Sequence, residues 1–172
     1  MLPPACAAAL DEDGYGPSLD DLHFHPNELY AALYEAGHPG AFIDSDSFRQ
    51  LSEGYSQDVA ASKALAPALI QPGFAMYQLP NTAWARRVSG VFSNDLVRAH
   101  PARAHAVLTE QDDGAFLVSV RAPFHHRFGA EKVCAQFETG GGRAAAAGIN
   151  RLAADDLDRL IAALATEYGD QR

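Results

Sequence analysis

The chain of 172 residues has two cysteines, Cys6 and Cys134, and no CxxC spacing. That scarcity argues against a disulfide scaffold or a zinc–thiolate site and suits a reducing compartment, so a cytoplasmic location is expected. No apolar run approaches the roughly 20 residues that a spanning helix needs, and no membrane partner is expected. The first residues, MLPPACAAALDEDG, have an apolar patch but no basic flank, and do not read as a signal peptide. No Gly-Lys-Ser/Thr follows a glycine loop and no GxSxG occurs, which leaves out a P-loop and a nucleophile elbow. Internal repeats and low-complexity tracts are also absent. Positive charge is scarce in the first part, where residues 1–80 hold 11 acids against only Arg49 and Lys63. Residues 81–172 hold 11 acids and 11 bases, so the net charge of −9 belongs to the first part. Such a chain binds duplex nucleic acid poorly, but a local arginine cluster can still hold a few phosphates. The asymmetry suggests two regions with different jobs.

A hydrophobic content of 48% is ordinary globular material. PNELYAALYEAG (26–37) predicts a short helix with Pro26 at its start, Gly37 after its end, and Leu29, Leu33 and Ala36 on one face. Residues 45–67 predict a longer helix, with Phe48, Leu51, Tyr55 and Val59 at helical spacing and Ser47 with Gln50 as a capping box. From residue 72 the pattern becomes strand (74–80), helix (81–101), strand (103–110), turn and strand (115–123), short helix (129–137), a glycine loop, a small-residue strand, and a last helix (154–169). The expected fold is α/β (α+β): a small mixed sheet flanked by helices and preceded by an N-terminal helical segment. The expected domains are an irregular and helical segment, 1–70, and a substrate-binding domain, 71–172.

FETGGGRAAAAGIN (137–150) sets three glycines against one arginine. Glycines let backbone N–H groups approach a ligand, and successive N–H groups form an anion-binding nest. Gly140, Gly141 and Gly142, with the Arg143 fork beside them, are therefore candidates for holding a phosphate. A surface turn is the plainer reading of the same glycines. The low bulk of Ala144–Ala147 and Gly148 calls for close packing or a ligand lying on the backbone. Arg121 closes the strand LVSVR before Pro123, on the face opposite Phe116, Val118 and Val120. It is either a solvated strand end or a second ligand contact.

SVRAP, the helix GAEKVCAQF and the stretch GGGRAAAAG together resemble the C-terminal domain of the DHH phosphoesterases. That family includes RecJ-type single-strand exonucleases and the nano-RNA and cyclic-dinucleotide phosphodiesterases. The resemblance covers about residues 72–169, and GYGPSLDDLHFHPNELYAAL (14–33) looks like the family's interdomain segment. It implies that Arg121 is the family's strand-end arginine, that Gly140, Gly141 and Gly142 form its glycine loop, and that Arg143 stands where the family has histidine. The family asparagine is here Ala145, and Glu138 with Thr139 separates Phe137 from the glycines. The implied ligand is a nucleotide or short single-stranded nucleic acid. Manganese or magnesium is implied only with a complete DHH domain, and this sequence has no Asp-His-His. The implied partners are therefore a DHH catalytic domain or a second copy of the chain.

Two other readings stand beside this one. DDLHFHP (20–26) offers Asp20, Asp21, His23 and His25 as weak metal candidates for a free-standing metal-dependent hydrolase, against simple packing. A non-enzymatic interaction or dimerisation module would use the glycines for close sheet packing. His125 and His126 read as a solvated turn, and Cys134, Met76 and Trp84 as core.

Overall fold

A computed structural model describes residues 18–169. By compactness these residues form two units. One runs to Ala64 and takes in Thr82–Val88, and the other comprises Leu65–Asn81 and the residues from Ser89 onward. The division falls at Ala64/Leu65, Asn81/Thr82 and Val88/Ser89, and the expected boundary was 70/71.

The first unit is helical. A 3-10 turn, Leu19–Asp21, is capped by Ser18, whose hydroxyl accepts the Asp20 N–H. Helix α1 (Pro26–Ala36) has Pro26 in its first turn and ends on Gly37 at φ 63. It buries none of its residues, and Tyr30 and Tyr34 stack outside at 6.3 Å. Its neighbour α2 (Pro39–Ile43) is only five residues long and too short to cover the expected apolar face. Helix α3 (Asp46–Lys63) is capped by Ser45, whose Oγ accepts the Phe48 N–H at 3.2 Å. The cap lies at Ser45, not at the expected Ser47, because Ser45 is the last extended residue (φ −81, ψ 159) and Ser47 is already helical. Gly54 is buried in α3, and a Cβ there would lie 2.5 Å from the His23 ring. A glycine unfavourable to the helix is kept because His23 packs on it.

The second unit is a six-stranded mixed sheet of order β1-β2-β3-β4-β6-β5. Its strands are β1 (Leu69–Ile70), β2 (Phe74–Leu79), β3 (Ala104–Glu110), β4 (Phe116–Arg121), β5 (Gly140–Arg143) and β6 (Ala146–Leu152). The β2–β3 pair is parallel and the other pairs are antiparallel. Helix α4 (Ala83–Ala99) makes the parallel crossover. On one face, Met76, Leu108, Val118 and Ile149 form a core with Val133 and Cys134 of α5 (Ala130–Cys134) and Leu160, Leu164 and Tyr168 of α6 (Leu157–Tyr168). On the other face α4 sets Phe92 edge-on to Tyr77 of β2 at 5.3 Å. Among the described residues no helix is long and apolar enough to cross a membrane.

The glycine stretch differs from the expected loop. Gly140–Arg143 is the edge strand β5, joined to β6 by a two-residue turn at Ala144 and Ala145. The Ala130 N–H donates to the Ala144 carbonyl and the Ala122 N–H to the Ala145 carbonyl, both at 3.0 Å, which anchors the turn.

Candidate functional site

The sheet register brings the candidate residues into one row. Arg121 of β4 faces Ala146 of β6, and Ala146 faces Arg143 of β5. Directly opposed residues project to the same side of a sheet. Arg121 and Arg143 therefore stand on one face, two strand spacings or about 9.5 Å apart at the backbone. Ala146 lies between them. The next row on that face is Ser119, Gly148 and Gly141. Between the arginines the floor is thus nearly bare backbone, and an added Cβ at Gly141 would meet open space.

The three glycines do different work. Gly140 has no room for a Cβ because the Cys134 carbonyl lies against it. Gly142, at φ 147, abuts Ala147. Gly148 approaches the Val118 carbonyl, 2.9 Å from where its Cβ would be. Close packing explains these three, whereas a Cβ on Gly141 would meet nothing within 4 Å. Thr139, one of the two residues absent from the family pattern, bonds the Arg151 backbone at 2.9 and 3.0 Å and so leads the chain into β5.

A cleft of about 290 Å³ adjoins the row. It is lined by Asn94 and Arg98 of α4, Arg121, Phe124, Arg127 and the backbone turn at Ala145 and Ala146. Arg121 is partly buried in it. Its guanidinium donates to Asn94 Oδ1 at 3.1 Å, to Ser119 Oγ at 2.8 Å and to the Val120 carbonyl at 3.5 Å. All three acceptors are neutral, and no described carboxylate pairs with it. Burial lowers its pKa, yet an arginine stays charged in a protein. Arg127 meets no described carboxylate either, and its guanidinium lies 5.5 Å from the Phe124 ring centroid. Arg98 has only an exposed contact to Asp95 at 3.7 Å, a weak one. Arg143 is exposed on the row beside the cleft and does not line it. A partly desolvated cation without a counter-charge is an unfavourable arrangement that an anion would relieve.

Asn94, Arg98, Phe124 and Arg127 were not singled out by sequence reasoning. Arg127 had a signal, the interleaved aromatic and basic residues of FHHRF, but Asn94 and Arg98 reach the cleft only because α4 crosses the sheet.

The weak metal candidates do not form a ligand set. Asp21 is buried and takes a fork from Arg86 at 2.6 and 2.8 Å, a bond that holds its carboxyl below the usual range. His23 meets Asp58 at 3.3 Å, and His25 caps α1 through Nδ1. Asp20 is exposed at the Ser18 cap. Among the described residues no three His, Cys, Asp or Glu side chains are placed to hold a metal ion. His125 and His126 are exposed, with their rings against Phe124 and Phe128.

No protein-family model and no curated protein matches the sequence. Solved structures do match the fold. A pGpG-specific phosphodiesterase, PggH from Vibrio cholerae, superposes with a TM-score of 0.59 at 16% identity, over 83% of this chain and 50% of that one. CDC45 from Entamoeba histolytica gives 0.57 at 11% identity, over 94% and 36%. RecJ from Thermus thermophilus, solved in complex with Mg2+, gives 0.50 at 15% identity, over 74% and 20%. The chain therefore spans half or less of the length of each. Residues 71–172 alone cannot supply 74%, 83% or 94% of the chain, so all three matches also take in residues before 71. All three neighbours have DHH-superfamily folds. This chain shares its fold with these three structures, and within that fold it carries a strand-closing Arg121, the short helix α5 and the glycine-rich edge strand β5.

Proposed function

We propose that this chain is the substrate-binding portion of a DHH-family phosphoesterase, and that Arg121, Arg143 and the bare floor between them hold phosphate groups of a nucleotide or short single-stranded nucleic acid. One observation carries the reading: Arg121 is partly buried with neutral partners only, in the same cross-strand row as Arg143. The guanidinium forks bind phosphate oxygens, and the absent side chains at Gly141 and Gly148 let the ligand lie on the sheet. The metal centre that would activate water for hydrolysis comes, on this reading, from a DHH domain, whose Asp-His-His triplet this sequence lacks.

The test is a titration of a short fluorescent oligonucleotide against the full chain. Arg121→Ala and Arg143→Ala should each remove a charge-assisted bond of roughly 1.5–3 kcal/mol, about ten- to a hundredfold in affinity. Gly141→Val should weaken binding comparably without disturbing the fold, since its added side chain points into open space. Arg49→Ala, on an exposed pair of α3, serves as control. Binding should weaken modestly with salt, because only one or two phosphates are engaged. Equal affinities for wild type, Arg121→Ala and Arg143→Ala would return the glycines to a packing role and favour the interaction-module reading.

A further inference from the structure

Phe124 is large, apolar and 53% exposed, yet it lines a cleft whose polar side chains are three arginines and an asparagine, beside Val97 and small alanines. Hydrophobic burial does not account for a ring left half in water. Its setting does suggest a role. The Arg127 guanidinium lies over the ring at 5.5 Å, while the His125 ring meets it at 67° and 6.4 Å. Pro123 and Gly129, both buried, bound the short loop that carries these residues. The Tyr168 hydroxyl donates to the Phe128 carbonyl at 3.1 Å and pins the loop to α6. Phe124 is thus presented from a tethered loop at the edge of an arginine cleft.

Resting on the phosphate reading above, we infer that Phe124, backed by Arg127, is a stacking platform for the base of the same nucleotide whose phosphate Arg121 holds. Aromatic rings and guanidinium planes are the surfaces on which unstacked bases settle, and an aromatic residue next to cations is the common plan of single-strand sites. The volume decides how much ligand fits. About 290 Å³ lies at the lower end of the roughly 300–1,000 Å³ range of small-molecule sites, which is room for one nucleotide and not for a duplex. Stacking is tolerant of base identity, so the platform selects for the presence of a base more than for its kind. The ligand class is therefore a nucleoside monophosphate or the terminal nucleotide of a short single strand.

Three probes separate the base from the phosphate: inorganic phosphate, ribose 5-phosphate and adenosine 5′-monophosphate, each titrated calorimetrically against the full chain. Wild type should bind the nucleotide about five- to 150-fold more tightly than ribose 5-phosphate, the range that one stacked base supplies. Phe124→Ala should abolish that difference and leave ribose 5-phosphate unchanged, while Phe124→Trp should keep it. Arg121→Ala should weaken all three probes. Equal wild-type affinity for the nucleotide and ribose 5-phosphate would overturn the platform and leave the phosphate site standing. So would a nucleotide preference that survives in Phe124→Ala. Failure of every probe to bind wild type would overturn the phosphate site and the platform together. Phe124 is exposed, so its variants are expected to fold, and an unchanged melting temperature would show it.

Discussion

Asp58→Ala should destabilise the helical unit by about 3–5 kcal/mol, the cost of leaving a buried charge without its partner. Asp58 on α3 and Arg87 at the start of α4 are both almost wholly buried. Their carboxylate and guanidinium meet as a fork, Nε to Oδ2 at 2.7 Å and Nη2 to Oδ1 at 3.1 Å. The third Arg87 nitrogen, Nη1, donates to the Asp21 carbonyl, and His23 reaches Asp58 Oδ2 at 3.3 Å. Removing the carboxylate strands the guanidinium where no other described carboxylate reaches it. Removing both charges together, as Asp58→Leu with Arg87→Met, should recover most of the loss, since a buried pair is often replaceable by apolar groups of similar volume. Arg49→Ala breaks a pair whose side chains are 65% and 92% exposed and should change stability by no more than about 0.5 kcal/mol. Trp84 is the chain's one tryptophan and belongs to this unit, so its fluorescence through a urea titration reads the result directly. An Asp58→Ala midpoint equal to that of Arg49→Ala would show that the pair is no structural element.

The same pair shows what the sequence could not reveal. The asymmetry of charge was visible, and acids without bases in residues 1–80 suggested two regions with different jobs. Their cations lie at Arg86 and Arg87, beyond the edge of the expected first domain, and only the fold brings Asp21 and Asp58 to them. Gly54 is similar: a glycine in a helix is a weak spot by propensity, and its reason, the His23 ring, comes from 31 residues away. The sheet was more legible. Strand β4 follows from its period-two pattern and helix α4 from helical spacing, whereas β2 and β3 are buried along almost their whole length and read as strands from short apolar runs. Strand β5 was not legible, since three glycines carry no pattern of hydrophobic alternation and read as a loop. At the site, Arg121 and the glycine stretch could be found from motif shape, and the sheet register then put Arg121 and Arg143 on one face. The α4 contribution depends on tertiary contacts that no local pattern records, and FHHRF, although local, did not show that it borders the same cleft.

Between pH 6.5 and about 4 the sheet unit should lose roughly 3 kcal/mol of stability through one residue, His105. His105 lies on β3 directly opposite Arg121, on the face that also carries Tyr77. It is fully buried, and neither ring nitrogen has a hydrogen-bond partner. Burial first, then the charges of His100 and Arg103, push its pKa from 6.5 down to about 4, partly opposed by the Arg103 backbone, which does not reach hydrogen-bond geometry. The groups facing it are the His100 ring at 6.0 Å, the Tyr77 ring at 6.5 Å and the Arg121 strand position, none of them an anion that would welcome a proton. The sign follows from proton counting. Below 6.5 the unfolded chain takes up a proton at this residue that the folded chain refuses until about 4, so stability is complete above 6.5 and falls as pH falls through that window. Carboxylates held low in the native state, Asp21 and Asp113, lose their contribution chiefly below the ordinary carboxylate value of 3.8, so little of it is gone at pH 4.5. His105→Leu removes the titration together with two unsatisfied buried nitrogens, and should match or exceed wild type at neutral pH. Urea midpoints followed by far-UV circular dichroism at pH 7.5 and 4.5 give the comparison. Wild type should fall steeply between the two and His105→Leu should stay nearly flat, whereas parallel losses in both proteins would place the acid sensitivity elsewhere in the sheet.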